Sequence, residues 1–174
     1  MKIAIIADTH DNLPNTAKAA GWIAKEKIKT IIHCGDIFKS ETIEKIQENF
    51  TGSLHIVFSP ADASFSEIPK DSFKNFKRVK VYEEFGEIKI PASPAGGGGR
   101  KIAFCHFPEI AEGLVARQEY DFVFYGHTHR PWIKKIGKTK LVNPGNLANL
   151  FYKATFATYD TKTDKLELKI LEKL

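Results

Sequence analysis

Short runs of branched apolar residues, each followed by a polar loop, punctuate the first third of the chain. "KIAIIA" (2–7), "KTIIHC" (29–34) and "SLHIVF" (53–58) are continuously apolar, as expected for strands buried on both faces. Between them the spacing changes to helical. "NTAKAAGWIAKEK" follows Pro14, which can open a helix that ends near Lys27, and "SETIEKIQENF" (40–50) predicts an amphipathic helix capped by Ser40. Strand, helix, strand, helix, strand predicts right-handed βαβ units and a largely parallel sheet.

The second half reads differently. Strands are predicted at 79–90, 100–105, 120–126, 132–137, 138–145, 154–160 and 165–174, with one helix at 108–118. Short turns such as "IGKT" and "DTKTD" point to antiparallel hairpins. The pattern predicts two packed sheets with helices outside them, in a single domain over residues 1–174, without linker or repeat.

Composition narrows the class. No apolar run is long enough for a membrane span, and "MKIAIIADTHDN" does not read as a signal peptide, so a cytoplasmic protein is expected. Cys34 and Cys105 lie in apolar runs and are expected to be buried thiols rather than a disulfide framework. The net charge is +5, from lysines spread along the chain, which favours anionic ligands through the long-range field. No arginine-rich or aromatic-interleaved patch marks a dedicated nucleic-acid surface. "PASPAGGGGR" (91–100) lacks the spacing of a phosphate-binding loop and leads into a strand, so it reads as a hairpin tip.

The chemistry lies in where aspartate and histidine fall. Asp8 and His10 follow the first strand, Asp36 the second and Asp62 the third. His106 follows "KIAFC", and His127 and His129 follow "DFVFYG". Loops at the carboxyl ends of strands gather along one edge of an α/β sheet, where ligands bind. Taken singly, Asp8 or Asp36 could be a helix cap and each histidine a structural one. Together they make a mixed oxygen and nitrogen set suited to Mn, Fe, Ni or Zn rather than Ca or Mg. His33 and His55 sit inside apolar runs and read as structural.

"ADTHDN", "HCGD", "CH", "YGHTHRP" and "VNPGN", in that order over residues 1–170, resemble the signature of the calcineurin-like metallophosphoesterases, most of all the small prokaryotic phosphodiesterase branch. The resemblance implies an α/β fold, a four-layer α/β/β/α sandwich with two mixed β-sheets. It implies two divalent ions (Mn, Ni, Fe or Zn), one held by Asp8, His10, Asp36 and His129. Asp36 would bridge to the second, which also takes His106 and His127. The implied reaction is hydrolysis of a phosphodiester by a hydroxide shared between the ions and attacking phosphorus in line.

One block departs from that signature. The family's third block carries an Asn ligand and often an acidic His, whereas here Ser59, Pro60 and Ala61 precede Asp62. Proline offers neither a side-chain oxygen nor an amide donor, so the second ion is expected to bind weakly unless Asp62, Ser59 or water substitutes. With no acid at Ala61, aryl leaving groups are favoured over alkyl ones. A scaffold of this fold that has lost metal chemistry and binds protein partners is the alternative function. Asn12 and Asn146 are candidates to orient the substrate phosphate or to hold the ligand loops, and Asn143 shares that ambiguity. The expected partner is a small, nucleotide-like phosphoester, with no membrane; a homo-oligomer is left open.

Overall fold

In the computed structural model, which describes residues 1–58, 67–91 and 99–174, alternate residues of each central strand enter different cores. In β1 (Lys2–Ile6), Ala4 and Ile6 face a core formed with two helices, while Ile3 and Ile5 face the other sheet. The same two-residue period governs β2 (Thr30–His33) and β3 (Ser53–Val57), as strand geometry requires. A run without polar positions is therefore what a strand in the middle of a layered sandwich needs.

Two helices cover the outer face of this sheet. Helix α1 (Leu13–Lys25) buries Thr16, Ala19, Ala20 and Ile23, one stripe at helical spacing, and α2 (Ser40–Asn49) buries Thr42, Ile43 and Ile46. Strands β1, β2, β3 and β4 (Val79–Tyr82) run parallel. With β10 (Thr155–Asp160) and β11 (Lys165–Ile170) they form a six-stranded sheet ordered β11-β10-β1-β2-β3-β4.

The second sheet is ordered β5-β6-β7-β9-β8. Its strands are β5 (Phe85–Ile90), β6 (Arg100–Cys105), β7 (Phe122–Phe124), β8 (Trp132–Ile136) and β9 (Thr139–Asn143). Ile102, Phe104, Phe122 and Phe124 pack against the first sheet. Ala103, Cys105 and Val123 face a third core beneath α3 (Pro108–Ala116). Three cores between four layers give the expected α/β/β/α sandwich, and both predicted hairpins, β8–β9 and β10–β11, are antiparallel.

The structure corrects three local expectations. Residues 79–90 are not one strand: β4 pairs with β3, the chain turns at the exposed Glu83 and Glu84, and β5 joins the other sheet beside β6. Helices α1 and α3 stop two residues early, because Lys27 (φ 57°) and Gln118 (φ 52°) adopt the left-handed conformation that ends a helix. Ser40 does not cap α2. Asp11, in the loop after β1, instead anchors the turn that leads into α2: its Oδ1 accepts from the amides of Phe38 (3.3 Å) and Lys39 (3.2 Å) and from the Thr42 hydroxyl (2.7 Å). Both cysteines are buried, and burial pushes both thiols up, so they stay protonated.

A second bond chain joins the ends of β1 and β2. The Gly35 amide donates to His33 Nδ1 (3.2 Å), which leaves the ring proton on Nε2 to donate to Thr9 Oγ1 (3.2 Å). The Thr9 hydroxyl donates in turn to the carbonyl of Asp36 (3.0 Å). His33 is fully buried, and desolvation, with the neighbouring His106 and His10, lowers its pKa to about 3. Among the described residues no helix is long and apolar enough to cross a membrane.

Replacing Asp11→Ala takes the acceptor from two backbone amides and from the Thr42 hydroxyl. It should lower unfolding free energy by about 1–2 kcal/mol, read from urea denaturation at pH 7. His33 should make stability depend on acid. The unfolded imidazole titrates near its ordinary 6.5 and the folded one near 3, so between those values the unfolded chain binds the extra proton. The contribution is complete above pH 6.5 and is lost as pH falls toward 3, on the order of 5 kcal/mol in all. The difference between wild type and His33→Asn across this window isolates the effect; parallel curves would show that His33 does not cause it.

Candidate metal centre

Every candidate ligand that the structure describes lies just beyond the carboxyl end of a strand. Asp8 and His10 follow β1, Asp36 follows β2, His106 follows β6, and His127 and His129 follow β7. The two sheets pack so that these ends share one edge. The loops are bonded to one another there: Asp8 N donates to Gly35 O (3.1 Å), His10 N to Asp36 O (3.2 Å) and Gly126 N to His106 O (3.0 Å). The amide of His127 donates to Asp8 Oδ1 (2.8 Å), which ties the second sheet to the first.

The backbone is held in unusual conformations to do this. Asp8, His10, Asp36, His127 and His129 all have positive φ, between 39° and 66°. Each such residue costs on the order of 1–3 kcal/mol, and such strain concentrates at functional sites. Two glycines make the close approach possible. A Cβ on Gly35 (φ 100°) would stand 2.5 Å from His106 Nδ1, and one on Gly126 would stand 2.8 Å from Asp8 Oδ2. Neither glycine was among the candidate residues, although each immediately precedes one in the sequence.

Asp8, His10, Asp36 and His129 each present one donor atom, and these four atoms lie within 4.8 Å of one another. His10 Nε2 is 2.9 Å from His129 Nε2 and 3.2 Å from Asp36 Oδ2, and His129 Nε2 is 3.5 Å from Asp8 Oδ1. Donors held about 2.1 Å from a tetrahedral ion stand roughly 3.4 Å apart, so the set fits a divalent cation. Burial and the neighbouring His10 hold the His129 pKa below its ordinary value, which keeps its ring neutral and able to ligate. Its buried Nδ1 has no hydrogen-bond partner among the described residues.

Asp36 also faces the other way. Its Oδ1 is 3.5 Å from Nε2 of the buried His106. His106 Nδ1 is 2.8 Å from the carbonyl of Cys34, which fixes the proton on Nδ1 and leaves the Nε2 lone pair toward Asp36. His127 reaches this side through its ring, 5.2 Å from that of His106, and is exposed. Asp62, with Ser59, Pro60 and Ala61, lies outside the described residues, as does most of the glycine-rich 91–100 stretch.

The bonds of the asparagines are internal. Asn12 caps α1 by accepting from Asn15 N (3.1 Å) and donates to Ala148 O (3.0 Å). Asn146 donates to the carbonyls of His129 (3.1 Å) and Leu150 (3.3 Å) and accepts from Leu150 N (3.0 Å). Asn143 donates to Gly126 O (2.8 Å) and Thr128 Oγ1 (3.1 Å). Each observed bond holds a ligand loop. His33 is buried in the bond chain between the strand ends, and His55 Nδ1 pairs with the Tyr82 hydroxyl (3.0 Å).

Known proteins resemble this chain in sequence and fold. The chain is 30% identical over 145 residues to phosphodiesterase MJ0936 of Methanocaldococcus jannaschii, covering 83% of each. A solved archaeal phosphodiesterase superposes with a TM-score of 0.77 at 26% identity, over 98% of this chain and 99% of the other. Vps29 from Entamoeba histolytica, solved in complex with zinc, shares the fold at a TM-score of 0.64 and 17% identity, over 97% of this chain and 90% of that one. The calcineurin-like phosphoesterase superfamily domain matches residues 1–164, and this chain belongs to that family.

Proposed function

We propose that the chain is a metal-dependent phosphodiesterase, with Asp8, His10, Asp36 and His129 holding one divalent ion and Asp36, His106 and His127 a second. The observation that carries this reading is the Asp36 carboxylate, with Oδ2 3.2 Å from His10 Nε2 and Oδ1 3.5 Å from His106 Nε2. One carboxylate facing two imidazoles on opposite sides is the arrangement a bridging ligand needs. The mixed oxygen and nitrogen set favours Mn, Fe, Ni or Zn.

The ions would supply charge neutralisation of the phosphoryl oxygens and a water that is acidic at neutral pH. What the protein contributes is placement. The strained loops and their cross-bonds fix the donors before substrate arrives, so little reorganisation is required during reaction. Two carboxylates, Asp8 and Asp36, leave the site short of positive charge until cations enter. The overall +5 charge then draws an anionic ester toward it. Hydrolysis adds water across one P–O bond and releases an alcohol, which must collect a proton from solvent because Ala61 carries no acid.

The likeness of fold to Vps29 and the exposed Leu150, Phe151 and Tyr152 favour a second reading, a protein-binding scaffold. Activity separates the two. Dialysis against a chelator should abolish hydrolysis of bis(p-nitrophenyl) phosphate, and Mn or Ni should restore it. Asp36→Asn should lower kcat/KM about 1,000-fold with an unchanged circular dichroism spectrum. Wild-type turnover in that variant, or none in the metal-loaded protein, overturns the enzymatic reading.

Because Pro60 stands where the family has an Asn ligand, the second ion should be the weaker. Metal analysis after exhaustive dialysis should find one ion retained per chain and a second only when metal is supplied in excess. Two ions retained through dialysis would mean that residues 59–62 supply a replacement ligand.

A further inference from the structure

Three phenylalanines from three different loops lie against the imidazoles of the metal centre. Phe38, after β2, lies 5.4 Å from the His10 ring, centroid to centroid. Phe107, after β6, lies 4.6 Å from His106 and 5.0 Å from His127. Phe151, after β9, lies 5.8 Å from His129 and is tilted 42° to it. Phe38 and Phe107 are half-buried, but Phe151 is 91% exposed.

A single exposed phenylalanine is ordinary on a protein surface. Two further observations set Phe151 apart. Its φ is 61°, a conformation that costs any bulky residue energy and is retained only where the surroundings enforce it. The surroundings do enforce it. Asn146 grips Leu150 through both its amide and its carbonyl, Asn149 Oδ1 accepts from Ala154 N (3.1 Å), and Tyr152 N donates to Leu150 O (2.7 Å). The same Asn146 donates to the carbonyl of His129. A firmly anchored loop therefore holds an uncovered ring in a strained backbone, fixed relative to a metal-ligating histidine.

We infer that Phe151 is a stacking platform that selects phosphodiesters carrying a planar aromatic substituent, such as a nucleobase, on the ester that is not cleaved. This rests on the phosphodiesterase reading above. A phosphoryl group bound at the metal centre projects its second substituent from the ligand cluster toward the rim. The open face of Phe151 stands there, and every base has a π-face that such a ring can hold without hydrogen-bond readout. The half-buried Phe38 and Phe107 lie against His10 on one side and His106 and His127 on the other. The flanking Leu150 (42% exposed) and Tyr152 (45% exposed) extend the apolar rim.

The test holds the leaving group constant and varies the other ester. Thymidine 5′-(p-nitrophenyl phosphate) and methyl p-nitrophenyl phosphate release the same nitrophenolate, so their kcat/KM ratio reads recognition of the retained group alone. Wild type should prefer the thymidine ester, and Phe151→Ala should cut that preference about tenfold, through KM. Phe151→Trp should restore it, which a merely structural role for the loop would not produce. A preference that Phe151→Ala leaves intact overturns the inference and leaves the phosphodiesterase reading standing. No metal-dependent turnover of either ester overturns both.

Discussion

The hydrogen bonds between neighbouring strand ends set the spacing of the candidate ligands. Asp8 and His10 are held to Gly35 and Asp36 by two backbone bonds, and the buried chain from Gly35 through His33 and Thr9 to the Asp36 carbonyl braces the same junction. Across the sandwich, the His127 amide binds the Asp8 carboxylate. Without these bonds the donor atoms would carry the like-charge repulsion and desolvation of two carboxylates with nothing to fix their distance. With them, five left-handed residues are tolerated within one small region.

That bracing explains why ordinary polar residues matter as much as the ligands. Asp11 anchors the turn into α2 from another loop, Asn12 caps α1 and reaches Ala148, and Asn146 joins His129 to the segment that carries Phe151. Each side chain satisfies backbone groups that a tight, buried loop would otherwise leave unpaired. This polar lattice positions the candidate ligands.

Much of this could be read from residue order. The three apolar runs of the first half became central strands because a layered sandwich buries both faces of a strand, which removes the polar alternation of a surface sheet. The positions of Asp8, His10, Asp36, His106, His127 and His129 after such runs placed them at one edge, since parallel strands point their carboxyl ends the same way. Local errors fell where distant contacts outweigh local preference. Ser40 has the chemistry of a cap, yet the helix already begins at Ser40, with Lys39 in the capping position, and Asp11 from the loop after β1 anchors the turn before it. The stretch 79–90 has continuous strand character, and only the demand of two sheets for edge strands divides it.

The sequence by itself determined the layer architecture and the identities of the ligand candidates, because both follow from periodicity and from the order of strand ends. The resemblance implied how they group, and only the tertiary structure supplied the distances: four donors within 4.8 Å of one another, with His106 and His127 on the far side of Asp36. Tertiary structure also decided the tautomers of His33 and His106, the need for glycine at 35 and 126, and the exposure of Phe151 beside His129. These depend on distances between residues far apart in the chain. No local pattern encodes such distances, because they are fixed by how two twisted sheets pack.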